Sequence, residues 1–153
     1  MFNILITAIL IIVDRVSKYL AATYLAGNGG IVIVPGLLGL RYVQNTGAAF
    51  SILSGKTEIL IAVTSVALAA LAYYIFAGKC ENNAEKACLL LIFSGGIGNL
   101  IDRVAQGYVI DYFEFLFMDF AVFNMADVYV CLGVGLYARY VFYTEFYKKS
   151  RES

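Results

Sequence analysis

Four apolar runs, each close to the ~20 residues that cross the hydrocarbon core of a bilayer, constrain this chain more than any other feature. They fall at roughly residues 2–24, 59–77, 87–104 and 123–142. Hydrophobic residues make up 61% of the chain and charged residues 14%, against roughly 45–50% and about 25% in soluble domains. A mean hydropathy of +0.80 agrees. A water-soluble domain of 153 residues has no interior large enough to hide that much apolar surface. The pattern therefore predicts an all-α membrane protein: a four-transmembrane-helix bundle, one domain over residues 1–153. No basic segment precedes the first run, and Asp14, Arg15 and Lys18 interrupt it. This reads as a retained span rather than a cleaved leader.

The connections are unequal. Gly78 to Lys86 is short and polar. The outer element 27–58 carries two β-type runs, Ile31–Val34 and Leu38–Val43, around Pro35-Gly36. It predicts a small extracytoplasmic hairpin or cradle. The outer element 105–122 holds Tyr108, Tyr112, Phe113, Phe115, Phe117 and Phe120, too apolar for a solvated linker, and is expected to lie in the interface or on the bundle. Lys79, Lys86, Lys148, Lys149 and Arg151 flank one membrane side; Arg41 and Lys56 flank the other. The positive-inside rule then puts both termini in the cytoplasm and both long connections outside.

Several chemistries are excluded. There is no histidine, which removes Ser-His and Cys-His pairs and histidine metal sites. Cys80, Cys88 and Cys131 form no C-x-x-C pair and read as small packing residues. With 11 basic and 11 acidic residues, the chain lacks the basic excess of a nucleic-acid surface.

The charges that interrupt apolar runs carry the information. Each costs about 2.5–3.5 kcal/mol inside a span and so needs a partner or a task. In the expected topology Asp14, Lys18, Asp102, Arg103, Asp111 and Asp127 all gather near the outer face. Asp14 and Lys18 are spaced i, i+4, as are Asn99 and Arg103, while Asn124 and Asp127 are i, i+3, so polar stripes face the bundle. Salt bridges and hydrogen bonds joining helices are expected to account for Asp14, Lys18, Asp102 and Arg103. Asp111 and Asp127 are left over, because no Lys or Arg occurs from Val104 to Ala138. Two carboxylates in an apolar place share a proton, which is what a water-activating aspartic dyad requires. Ser-Lys chemistry is a rival: Ser17 adjoins Lys18, and Ser51 and Ser54 precede Lys56. A small transporter or proton-conducting protein is another, although the inner halves of the spans hold no ionisable side chain except Arg139. A non-catalytic scaffold glued by charge pairs is a third.

Five blocks settle among these by likeness. Asp14-Arg15-Val16-Ser17-Lys18, Asn45-Thr46-Gly47-Ala48-Ala49-Phe50, Gly98-Asn99-Leu100-Ile101-Asp102-Arg103, Val109-Ile110-Asp111-Tyr112-Phe113 and Phe123-Asn124-Met125-Ala126-Asp127 occur in the order and at the positions of the bacterial lipoprotein (type II) signal peptidases. The chain resembles that family over nearly its whole length. It departs at Ser94-Gly95, where Gly-Gly is frequent, at Tyr112, where Phe is frequent, and at Val128, where a small polar residue is frequent. The resemblance implies an aspartic endopeptidase with Asp111 and Asp127 catalytic. Asp14, Lys18, Asn45, Gly47, Asn99, Arg103 and Asn124 would bind substrate or support the site. It implies a prolipoprotein substrate with a diacylglyceryl-modified lipobox cysteine, cut just before that cysteine. It also implies no metal or cofactor, a bacterial cytoplasmic (inner) membrane location in contact with lipid, and a monomer.

Overall fold

The computed structural model describes residues 2–48 and 55–148. Four long helices form the bundle: α1 (Phe2–Leu25), α2 (Thr57–Phe76), α3 (Asn83–Gln106) and α4 (Met125–Phe142). A π-helical turn, Tyr143–Lys148, follows α4. Among the described residues, three helical segments are long and apolar enough to span a membrane: Thr57–Phe76, Asn83–Gln106 and Met125–Glu145. Helix α1 has the length as well, and its Asp14 and Lys18 are wholly buried, so neither is presented to lipid. Its ends match the sequence reading, but Asp14 sits mid-helix rather than near the outer end.

Helix α1 is long because its last turns do a second job. Ala21 and Leu25 pack against Ile110 and Tyr112, so α1 carries the sheet that closes one end of the bundle. That sheet has three antiparallel strands in the order β1 (Ile31–Val34), β2 (Leu38–Asn45) and β3 (Val109–Phe115). The first two form the expected hairpin. The third falls within 105–122, the segment expected in the interface or on the bundle; it packs on α1 and adds a strand that the sequence reading did not assign. Its run Val-Ile-Asp-Tyr-Phe-Glu-Phe is rich in β-branched and aromatic residues and pairs with β2, Val43 opposite Asp111 and Asn45 opposite Val109. Period-two alternation then divides β3. Ile110 and Tyr112 face α1, while Val109, Asp111 and Phe115 line a cavity on the other face.

Two caps set the helix starts. Asn82 accepts from the backbone N–H groups of Ala84 and Glu85, so α3 begins four residues before the apolar run and absorbs half of the polar loop. Asn124 caps α4, which begins at Met125 rather than Phe123. Gly107, at φ 81°, ends α3 in the left-handed conformation and turns the chain into β3. Helices α3 and α4 approach closely because α3 presents small residues. A Cβ on Gly95 would meet the Ala126 carbonyl and Val130, and one on Gly98 would lie 2.5 Å from the Asp14 carboxylate. Cys80 is half-buried and Cys88 buried, whereas Cys131 is exposed and lines the same cavity as Asp111 instead of packing inside.

Candidate active site

Lys18 stands at the centre of the buried charges. Its ammonium lies 2.9 Å from Asp14 and 3.0 Å from Asp102, all three side chains shielded from solvent. Asp102 also pairs with Arg15, an interaction the sequence reading missed, although an arginine inside an apolar run always needs a partner. Lys18 further donates to Asn99 Oδ1 at 2.9 Å.

The two carboxylates beside Lys18 each hold a backbone N–H. Asp14 Oδ1 accepts from Ala126 N at 3.0 Å, and Asp102 Oδ2 accepts from Ile110 N at 3.4 Å. Ala126 immediately precedes Asp127, and Ile110 immediately precedes Asp111. One buried cluster thus fixes the main chain next to both leftover aspartates, although they come from different elements.

Asp127 is the third residue of α4 and completes a capping box. Its backbone N–H donates to Asn124 Oδ1, and its own Oδ2 accepts from the Asn124 N–H at 3.1 Å. Its Oδ1 accepts from Asn99 Nδ2 at 2.7 Å. Asp111 belongs to β3, not to a loop. Its Oδ1 accepts from Asn124 Nδ2 at 2.6 Å and its Oδ2 from Asn45 Nδ2 at 2.9 Å. Asn45 stands two residues from Val43, the partner of Asp111 across the ladder, on the same face of the sheet. Asn124 touches both aspartates, and its amide also donates to Asn99 at 3.2 Å. In space the aspartates are less isolated from cations than in sequence. Asn99 links Lys18 to Asp127, and Arg103 lines the cavity they share. Burial pushes the Asp111 carboxyl up to about 6; the amide bonds from Asn45 and Asn124 and the Lys18 charge pull against this, and the Asp127 charge adds to it.

The cavity holds about 480 Å³. Asp111, Asp127, Asn45, Asn99 and Arg103 form its polar end, beside Ala48. Phe115, Phe120 and Phe123 form an aromatic wall, with ring centroids 5.1–6.1 Å apart. Val128, Val130, Cys131 and Leu132 carry it out along α4, where Leu132 is exposed. Arg103 Nη2 donates to the Gly47 carbonyl at 2.7 Å and ties α3 to the segment after β2. Gly47 N donates to Asn45 Oδ1 at 2.9 Å, which orients that amide. Ala49 and Phe50 of the same block, like Ser51 and Ser54, lie outside the described residues. Ser17 gives no Ser-Lys pair: its hydroxyl donates to the Asp14 carbonyl at 2.8 Å, and Lys18 is held by two carboxylates.

A four-helix membrane protein with paired carboxylates in one cavity beneath a small sheet defines the class: a membrane enzyme. A solved structure described as a bacterial membrane enzyme, determined by the in meso method, superposes with a TM-score of 0.84 at 33% identity, covering 94% of this chain and 90% of its own. A second of the same description gives 0.82 at 34%, covering 92% of each. The family model described as Signal peptidase (SPase) II matches residues 6–143. The lipoprotein signal peptidase of Symbiobacterium thermophilum is 39% identical over 138 residues, 89% of this chain and 91% of that one. That of Streptococcus pyogenes serotype M2 is 41% identical over 128 residues, 84% of each. The chain belongs to the signal peptidase II family of aspartic peptidases.

Proposed function

We propose that this chain cleaves signal peptides from prolipoproteins whose lipobox cysteine carries a diacylglyceryl group, using Asp111 and Asp127 as the water-activating pair. The observation that carries this reading is the Asn124 bridge. One residue, fixed by a helix cap, joins two carboxylates from different elements at the polar end of an otherwise apolar cavity: the Asn124 side-chain amide donates to Asp111 and the Asn124 backbone N–H donates to Asp127. The family membership supplies the substrate class.

Burial raises the Asp111 carboxyl to about 6, so it takes up a proton more readily than an ordinary carboxylate, and we assign it the role of acid. Asp127 lies at the start of α4, on the positive end of the helix dipole, and serves as the base. It takes a proton from water while the oxygen attacks the scissile carbonyl carbon. Asp111 gives its proton to the carbonyl oxygen. Collapse of the tetrahedral intermediate breaks the C–N bond: Asp127 passes the proton it took from water to the departing amine, and the diol hydroxyl returns a proton to Asp111. Asn45, Asn99 and Asn124 orient the carboxylates, and Arg103 steadies the Gly47 segment beside the peptide.

A diacylated cysteine keeps its tails in the bilayer, which suits a cavity that runs out along α4. We place the protein in the cytoplasmic membrane with both termini inside and the aspartates near the outer face, on the strength of the lysine and arginine bias. The two carboxylates and the amides that hold them complete the site within one copy, and we assign the activity to a monomer. Purified protein incubated with a diacylated prolipoprotein should yield the shortened product, and the unmodified precursor should be cut at least about tenfold more slowly. Equal cleavage of both would contradict the substrate reading.

A further inference from the structure

At the end of the bundle opposite Asp111 and Asp127, helices α1 and α3 part to leave a groove of about 460 Å³. Ile6 and Leu10 of α1 and Leu90 and Leu91 of α3 form its walls. Asn3, Asn83 and Lys86 gather at its mouth. From Asn3 to Leu10 the groove follows about 10 Å of helix at 1.5 Å per residue. It is therefore an apolar slot running inwards from one membrane surface, closed at that surface by one ammonium and two amides.

Two observations set the chemistry of the occupant. Lys86 is half-buried, yet among the described residues no carboxylate forms an ion pair with it. No Asp or Glu lines the groove. The neighbouring Glu85 is turned the other way: its carboxylate accepts from the Tyr74 hydroxyl at 3.0 Å and from the Glu81 N–H at 2.6 Å, on the α2 side of α3. A partly desolvated cation above an apolar slot matches a ligand with an anionic head and a hydrocarbon tail, and basic pockets between spanning helices bind such head groups.

We propose that this groove is a binding site for an anionic glycerophospholipid, with the phosphate between Lys86, Asn3 and Asn83 and an acyl chain along Ile6, Leu10, Leu90 and Leu91. The bound lipid joins α1 to α3, the two helices that carry the Asp14–Lys18–Asp102 cluster. The site is separate from the cavity of the peptidase reading, so the two are tested apart.

Native mass spectrometry of the full chain released from detergent, titrated with phosphatidylglycerol or phosphatidylethanolamine of matched chains, reads the site directly. Wild type should retain phosphatidylglycerol at least about fivefold more tightly, the contribution of one lysine near a head group. Lys86→Gln should abolish the preference and Lys86→Arg should keep it. Lys79→Gln, whose lysine stacks on Tyr73 at 4.5 Å, should keep it too, and all three variants should cleave prolipoprotein at the wild-type rate in detergent. No preference in wild type, an undiminished preference in Lys86→Gln, or equal loss in Lys79→Gln would overturn the proposal. So would displacement of the lipid by glycerol phosphate at comparable concentration, because that would assign binding to the phosphate alone.

Discussion

At the scale of single residues, the site is a set of amides and cations deciding how two carboxylates behave. Asp111 is almost completely buried, and its carboxyl is raised to about 6 from an ordinary 3.8. The sign of the consequence follows from linkage. Between pH 3.8 and 6 the folded chain binds a proton at Asp111 that the unfolded chain has lost. Stability contributed by this group is therefore present at low pH, falls as pH rises through that window, and is constant above it. The full span is up to about 3 kcal/mol, two pH units at 1.36 kcal/mol each. Thermal unfolding in detergent at pH 4, 5, 6 and 7 should show wild type losing stability relative to Asp111→Asn across this range, then running parallel to it. A constant difference from pH 4 to 7 would refute the assignment. Sequence spacing singled out Asp111 and Asp127 by leaving them without cations. It did not reveal that Lys18 stands one amide away from Asp127, because contact through Asn99 joins residues 81 positions apart.

At the scale of elements, hydropathy located the four helices, and the two caps explain why their starts were misjudged. Asn82 lies before the third apolar run and Asn124 just inside the fourth, and hydropathy alone is blind to a side chain that accepts backbone N–H groups. The third strand was missed because its aromatic content resembles an interfacial loop; only its partner β2 makes it a strand. The five sequence blocks now have structural meaning. Asp14 and Asp102 hold the chain before Asp127 and Asp111, Asn45 closes the sheet side, and Gly98 makes room for the Asp14 carboxylate. Gly98→Ala would put a Cβ 2.5 Å from that carboxylate, a clash of the kind that costs about 1–3 kcal/mol. The clash also pushes Asp14 against its bond to Ala126. The variant should melt earlier and cleave at least about tenfold more slowly than wild type. Unchanged melting and turnover would show that the α1–α3 contact is looser than drawn.

At the scale of the whole molecule, the bundle carries its chemistry at one end and its basic flanks at the other. The cavity, the sheet and the aromatic wall all lie where α1 and α3 finish and α4 starts, while Lys79, Lys86 and Lys148 lie at the opposite end. In cells, a cysteine placed at Lys79 in a background lacking the native cysteines should resist a membrane-impermeant thiol reagent until the membrane is opened. Labelling of intact cells would reverse the orientation. The central claim is that Asp111 and Asp127 act as one unit on a diacylated prolipoprotein, and a double-mutant cycle on kcat tests it most directly. Folded, membrane-inserted Asp111→Asn and Asp127→Asn should each bind the precursor and lose about 10²–10⁴-fold in kcat. The double variant should be within a few-fold of either single, because neither carboxylate works without the other. Substantial cleavage by either folded single variant, or losses that multiply in the double, would contradict the account.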